Sequence, residues 1–341
     1  MRRFTTLLIT CAALSGCAGV IITPEAVSPP ASFKRQYAEF SYQKKAILPA
    51  SSEEKSLETN LYSSFYMSMP SVGENGQEGN LVTWRYITSK TSGKKKLVII
   101  LPIYGSSTFP PEMVAKDLTE WNPEHDTNVL LVFGERDLVD WDFLGRTSTP
   151  ESFLISLRES VVKIKNTVID IRRLLDWAET KPEIDQKRIG IVGFSIGAMI
   201  AAAVAGVDER IAAEVLAMGG GDPHKIFARG KAGFLNKVRS HGLELFGKNR
   251  DEFEKILEPL FSDINPVKFL GRIAASRTLI FEAKYDRFIP EEARSSFWNA
   301  LGKPRRIILP YSHKIAFLVS MTILSFNYLD REVAEFFREK L

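Results

Sequence analysis

The amino-acid sequence predicts an α/β fold: a mostly parallel central sheet, helices on both faces, and a helical cap insertion late in the chain. Three observations carry this. Short apolar runs recur at Leu97–Leu101, Asn128–Phe133, Ile189–Val192, Ile211–Met218, Arg277–Glu282 and Arg306–Leu309, as expected of strands covered on both faces. Segments with helical periodicity alternate with them, and that alternation builds a parallel sheet with buried faces. The third is Ile189-Gly190-Ile191-Val192-Gly193-Phe194-Ser195-Ile196-Gly197-Ala198. It reads as a buried strand, a sharp turn with a serine at its apex, and a helix of small residues over Ala198–Ala205. Side chains two residues either side of that serine would collide, which explains Gly193 and Gly197.

The N-terminus stands apart from this pattern. Met1-Arg2-Arg3 is basic, Leu7–Leu14 is apolar but too short to span a bilayer, and Leu14-Ser15-Gly16-Cys17 sets small residues before a cysteine. The run resembles the lipobox of bacterial lipoproteins. The resemblance implies a signal peptide over 1–16, cut before Cys17, which then bears lipid; the alternative is a plain secretory signal with an incidental cysteine. By the same analogy, Ala18 in place of Asp suits outer-membrane sorting, with the domain facing the periplasm. The two cysteines are Cys11 and Cys17, so the mature chain is expected to hold no disulfide and to rely on a packed core. Residues 17–60 read as a tether and N-terminal extension, with Pro24, Pro29 and Pro30 in the tether, and the globular domain as 61–341.

From Phe33 to Asn60 the pattern is polar and weak. Phe65–Met69 and Leu81–Ile87 read as an antiparallel hairpin at one sheet edge, joined across the turn-rich Gly73–Gly76. Pro102 to Ser107 ends the Leu97–Leu101 strand in a turn, and a helix follows Pro110-Pro111 through Leu118. A polar loop runs from Gly134 to Pro150. Phe153–Glu179 is a long helix, with Leu154, Leu157, Val161, Ile164, Val168, Ile171, Leu174 and Leu175 at helical spacing, read as core and not as a ligand-binding stripe. Gly219-Gly220-Gly221 lacks the spacing of a phosphate loop. His224–Leu270 is too long for a simple crossover and reads as a helical cap over about 223–270. A single closing helix is expected from Lys314 to Glu339; its run Ile315–Leu324 is broken by Ser320 and Thr322 and falls short of bilayer length.

The 341 residues carry 45 Lys+Arg against 41 Asp+Glu, a net charge of +4, without a basic cluster interleaved with aromatics. Lys94-Lys95-Lys96 reads as a solvated turn. A nucleic-acid partner is therefore not indicated. No His/Cys/Asp/Glu spacing suggests a metal, no cofactor motif is present, and no obligate protein partner is evident.

A serine hydroxyl is a poor nucleophile at neutral pH. It needs a histidine to accept its proton and a carboxylate to fix that histidine's tautomer. Asp286 follows the strand ending at Glu282, and His313 follows the strand ending at Leu309. Both lie just past the carboxyl ends of their strands, where open α/β sheets place their sites. His125, His224 and His241 lie outside that slot, and Asp263, the rival acid, precedes its strand. With the order Ser195, Asp286, His313, the chain from about Leu81 onward resembles the α/β-hydrolases. Asp185-Gln186-Lys187-Arg188-Ile189-Gly190 resembles the run before the same turn in the dienelactone-hydrolase and acyl-peptidase-like branch. The resemblance implies Ser195 as nucleophile, His313 as general base and acid, and Asp286 as orienting carboxylate. It also implies an oxyanion hole from the N–H of Ile196 and one from the turn Pro102-Ile103-Tyr104-Gly105, where Tyr104 is the choice and Ile103 the alternate. The family commonly has His-Gly in that turn.

The expected function is that of a lipid-anchored cell-envelope serine hydrolase, cleaving a small-molecule carboxylic ester through an acyl-enzyme, with the cap shaping its pocket. Thioesters and amides are open to the same machinery. A non-catalytic envelope lipoprotein that binds a lipid or protein partner is the alternative of a different class.

Overall fold

The structure, a computed structural model, describes residues 20–24, 38–44, 50–53, 60–72, 78–104, 109–134, 137–320 and 328–341. Cys11, Cys17, the Gly73–Gly76 turn and Gly105 lie outside the described residues. In chain order the strands are β1 (Ile21–Thr23), β2 (Ala50–Glu53), β3 (Tyr62–Val72), β4 (Glu78–Ser89), β5 (Lys95–Leu101), β6 (Thr127–Val132), β7 (Ile184–Phe194), β8 (Ile211–Ala217), β9 (Thr278–Ala283) and β10 (Arg305–Leu309). The helices are α1 (Phe109–Leu118), α2 (Trp141–Leu144), α3 (Pro150–Glu179), α4 (Ile196–Val207), α5 (Pro223–Arg229), α6 (Gly233–Phe246), α7 (Arg250–Phe261), α8 (Glu291–Ala300), α9 (His313–Ser320) and α10 (Tyr328–Lys340).

One ten-stranded sheet runs in the order β1-β10-β9-β8-β7-β5-β6-β4-β3-β2. The centre, from β10 to β6, is parallel, and the strands outside it are antiparallel. Pleating divides the strand residues between two cores. Leu97, Ile99 and Leu101 face α3, α4 and α8, whereas Val98 and Ile100 face α1, α9 and α10. Both faces are therefore sealed, and the functional groups have only the sheet's edges left to occupy.

Four expectations from the sequence change. Ile21–Thr23, read as part of the tether, belongs to the sheet. Ile21–Thr23 pairs antiparallel with β10, Ala50–Glu53 pairs with β3, and Phe40 is fully buried. The physical reason is that β10 and β3 would otherwise offer unpaired edges. The β3–β4 hairpin consequently lies one strand in from the edge. The closing helix is two helices, α9 and α10. Finally, Lys95 and Lys96 are buried at the start of β5, not in a solvated turn. The Lys96 ammonium reaches Asp126 at 3.0 Å, which satisfies the charge while the stem packs.

The contact of α1 with α10 holds a carboxyl pair. Burial, with the nearby Asp117 charge second, raises the Asp330 pKa from 3.8 to about 8. Burial likewise raises Asp117 to about 6. A carboxyl whose folded-state pKa is raised holds its proton more tightly when folded. Its contribution is thus most favourable below the unfolded value and is lost as pH rises toward the folded one. Asp330→Asn is expected to raise stability at pH 8 by up to several kcal/mol, since each pH unit between the unfolded and folded values is worth about 1.4 kcal/mol, with the advantage vanishing near pH 4. Urea midpoints of both proteins across that range check it.

Candidate active site

Ser195 sits between β7 and α4 with φ 54° and ψ −117°, a conformation L residues adopt only when surroundings enforce it. Enforcement comes from both sides. The Ser195 N–H donates to the Ala217 carbonyl of β8 at 2.8 Å, and the Ser195 carbonyl accepts from Ala198 at 3.0 Å. The two glycines are needed for space. A Cβ on Gly193 would strike the Gly197 carbonyl, and one on Gly197 would strike the Pro102 carbonyl at the exit of β5. The turn thus packs backbone against backbone, which lifts the hydroxyl above the carboxyl edge of the sheet.

Asp286 and His313 arrive from the neighbouring strands β9 and β10, which pair in parallel and end at the same edge. The His313 Nδ1 is 2.7 Å from Asp286 Oδ2, and its Nε2 is 3.1 Å from Ser195 Oγ. Asp286 Oδ1 accepts backbone N–H bonds from Phe288 at 2.7 Å and Ile289 at 3.0 Å. With those bonds the carboxylate is fixed, so Nδ1–H donates to it, and Nε2 is left to accept from the serine. The imidazole is wedged between the rings of Phe288 (4.8 Å) and Phe317 (5.3 Å) and is only 5% exposed. A bulky, water-poor setting of this kind strengthens the hydrogen bonds of the line.

Ile196 is the first residue of α4, and an N–H in the first helical turn has no intrahelical partner. Tyr104 and Ile103 border the same cavity as Ser195. The structure therefore brings Ser195, Asp286, His313, Ile196 and Tyr104 to one site. It leaves Asp263 in the cap, and His241 bonded to the Thr147 carbonyl at 2.8 Å. Among the described residues no group of His, Cys, Asp and Glu is arranged to hold a metal.

The site opens into a cavity of about 600 Å³ with a mostly apolar wall. Among the described residues its charged, imidazole and hydroxyl-bearing side chains are Tyr104, Asp137, Ser195, His313 and Lys314. The cap contributes Ile226, Phe227, Phe234, Leu235, Phe261 and Ile264. One residue of the α3 stripe is corrected here: the half-buried Ile164 faces the cavity, although its spacing is indistinguishable from that of the core residues around it, whereas Val168 stays in the core as expected. Phe40 is fully buried in the core on this side of the sheet, and nothing in the weak pattern of residues 33–60 singled this residue out.

A model of the dienelactone hydrolase family matches residues 146–233, the stretch that carries α3, the serine turn and α4. An uncharacterised protein of Mycobacterium tuberculosis (strain H37Rv) is 29% identical over 148 residues, 43% of this chain and 32% of that protein, so the match spans about a third of the relative's length. Among solved structures, an acetyl xylan esterase from Paenibacillus sp. R4 superposes with a TM-score of 0.61 at 17% identity, covering 87% of this chain and 90% of its own. Acetyl xylan esterase 1 from Thermoanaerobacterium sp. JW/SL YS485 gives 0.60 at 17% identity, with 86% and 88% covered. The fold is that of the α/β-hydrolases.

Proposed function

We propose that the protein is a serine hydrolase that cleaves carboxylic esters through an acyl-enzyme. The observation that carries this reading is the unbroken hydrogen-bonded line from Asp286 through His313 to Ser195, at 2.7 and 3.1 Å, ending at a helix N-terminus in an apolar cavity. A binding protein has no use for all three groups in that order. The partial match to the dienelactone hydrolase family adds support from an independent direction.

In this mechanism the Ser195 oxygen attacks the ester carbonyl as its proton passes to His313 Nε2. The carbonyl oxygen becomes an oxyanion held by the N–H groups of Ile196 and Tyr104. The alkoxide leaves with the proton from His313, and Ser195 is acylated. Water then gives a proton to His313 and attacks the acyl carbon. The acid departs, and the proton returns to Ser195. Asp286 stays ionised throughout and stabilises the imidazolium that forms at each step.

Intact-mass labelling of the purified protein with a fluorophosphonate tests this reading. The expected result is a single adduct, absent from Ser195→Ala and slowed by orders of magnitude in His313→Ala. No adduct on the folded protein would overturn it and favour a non-catalytic lipid- or partner-binding protein. Turnover of matched oxygen esters, thioesters and amides then separates the three substrate classes.

The proposal extends to location. Leu14–Cys17 resembles a lipobox, so the chain is proposed to be held at the cell envelope by lipid on Cys17, with β1 beginning only a few residues further on. Mass spectrometry of the mature N-terminal peptide tests this; an unmodified cysteine would overturn it.

A further inference from the structure

The two edges of the sheet differ in how the N-terminal part of the chain reaches them. Ile22 of β1 pairs with Ile307, Ile307 with Phe281, Phe281 with Ala217, and Ala217 with Phe194. One row of residues therefore crosses the sheet from β1 to the residue before Ser195, a distance of about 19 Å at the usual strand spacing. β1 runs antiparallel to β10, whereas β10, β9, β8 and β7 are parallel to one another. Traced backward from Ile22 to Ile21 and Val20, the chain thus advances toward the carboxyl edge, as β7 does on reaching Ser195. The chain enters β1 from the edge that carries the triad. Cys17 precedes Ile21 by four residues, and a stretch of that length spans at most about 14 Å.

The same edge carries uncovered apolar side chains. Ile21 and Ile22 point to opposite faces of β1, and both are exposed, as is Val20. An apolar edge strand covered on neither face is a ready site for association. Across the exit of β10, the Tyr285 N–H donates to the Tyr311 carbonyl at 3.0 Å, and Tyr285 is 59% exposed. Ile315, in the first turn of α9, is exposed as well. From the cap, the exposed Phe234 packs on Phe288 at 5.4 Å, and Phe288 on the His313 ring at 4.8 Å. Phe234 and Lys314 border the cavity at Ser195, so its rim is exposed on this edge. The exposed charges here are mixed, Lys284, Arg287 and Lys314 against Asp137, Glu291 and Glu292. Apolar area, not charge, is the feature a partner must match.

We propose that this edge rests on the lipid bilayer to which Cys17 is anchored, with Val20, Ile21, Ile22, Tyr285 and Ile315 at its surface and the rim of the active site facing it, a placement that rests on the lipid-anchor reading of Cys17. Lipid on Cys17 holds that residue at the interface, so Ile21 stays within about 14 Å of it. Contact with the bilayer shields both faces of β1, and Tyr285 suits the interface, where its ring meets acyl chains and its hydroxyl meets water. A second copy of the chain could cover the same side chains, but it must be met from solution. The bilayer is tethered in place at high effective concentration.

The mature, lipid-bearing protein in phosphatidylcholine vesicles tests this. Once Cys11 has left with the signal and lipid occupies the Cys17 sulfur, the cysteine of Tyr285→Cys, Ile315→Cys or Ser92→Cys is the single thiol open to a fluorescent label. Ser92 precedes β5 at the opposite edge, with the length of β5, about 20 Å, in between. Nitroxide on the lipid head groups is expected to quench the labels of the first two variants several-fold and to leave the third unchanged. Equal quenching at the two edges, or none at either, would overturn the placement. So would labels of the first two variants that are shielded in a detergent-solubilised dimer yet indifferent to the vesicle quencher, the result expected of a second copy. A Cys17 without lipid, seen in the mass of the N-terminal peptide, would remove the anchor and with it the placement, while a fluorophosphonate adduct on Ser195 would stand. Edge-specific quenching in a protein that takes no fluorophosphonate would remove the hydrolase and keep the placement.

Discussion

Asp286→Asn is expected to leave the fold intact and to lower kcat for ester hydrolysis by about ten-thousandfold. The size of the loss follows from the hydrogen bonds around the carboxylate. Oδ1 accepts from the N–H groups of Phe288 and Ile289, and in an asparagine only the carbonyl oxygen can keep those bonds. The amide nitrogen must then face His313 Nδ1, where it can donate but not accept. Nδ1 is forced to become the acceptor, the imidazole proton moves to Nε2, and Nε2 can no longer take the proton of Ser195. The change is isosteric, so packing is preserved and the defect lies in the tautomer. Steady-state kcat at saturating ester, beside urea midpoints within about 1 kcal/mol of wild type, checks this. A loss smaller than about tenfold would mean that Asp286 does not hold the histidine's tautomer and would undercut the proposed mechanism.

Much of this site was legible because its signals are local. The Gly-x-Ser-x-Gly turn needs its glycines for backbone contacts within five residues and one strand exit, and a buried parallel strand advertises itself as an apolar run. Asp286 and His313 were placed by a rule about strand ends, since parallel strands deliver their following loops to one edge. The burial of Phe40 was not legible in this way. Phe40 is one aromatic residue in a weakly patterned stretch, and its position depends on Arg172, Asp208 and Phe269, none of which is near it in sequence. Ile164 shares the helical period of the core because a cavity-facing residue and a core-facing residue obey the same spacing. Lys95 and Lys96 misled for a related reason. Charge along the sequence suggests solvent, but a lysine stem packs like an alkane, and Asp126 supplies the counter-charge for Lys96. Pairing of Ile21–Thr23 with β10 is likewise set by a vacant strand edge far away, not by the three residues themselves.

Gly197→Ala is expected to destabilise the protein by about 3 kcal/mol or more, and Gly233→Ala to leave it unchanged or slightly more stable. The chemical change is the same and the surroundings decide the sign. At Gly233, at the start of α6, an added Cβ meets nothing within 4 Å. Alanine there only reduces the freedom of the unfolded chain and favours helix. At Gly197 the added carbon would lie inside contact distance of the Pro102 carbonyl oxygen and press on the Leu101 carbonyl. Neither atom is a side-chain end that can swing away. Leu101 is paired in register with Gly193 across β5 and β7, and Gly193 itself packs on the Gly197 carbonyl. The clash therefore has no soft direction: relief must tilt α4 or push out the β5 exit that carries Tyr104. Either movement separates the N–H groups of Ile196 and Tyr104 from the carbonyl they are proposed to hold, and a displacement near 1 Å costs about a hundredfold in rate. The fluorophosphonate reaction of Gly197→Ala should accordingly slow at least that much under conditions where the variant remains folded. Urea midpoints and labelling rates measured on both alanine variants read the two effects together. Near-normal stability in Gly197→Ala would show that the elbow can relax, and that the close approach of α4 to the β5 exit is not what holds Ser195 in its strained conformation.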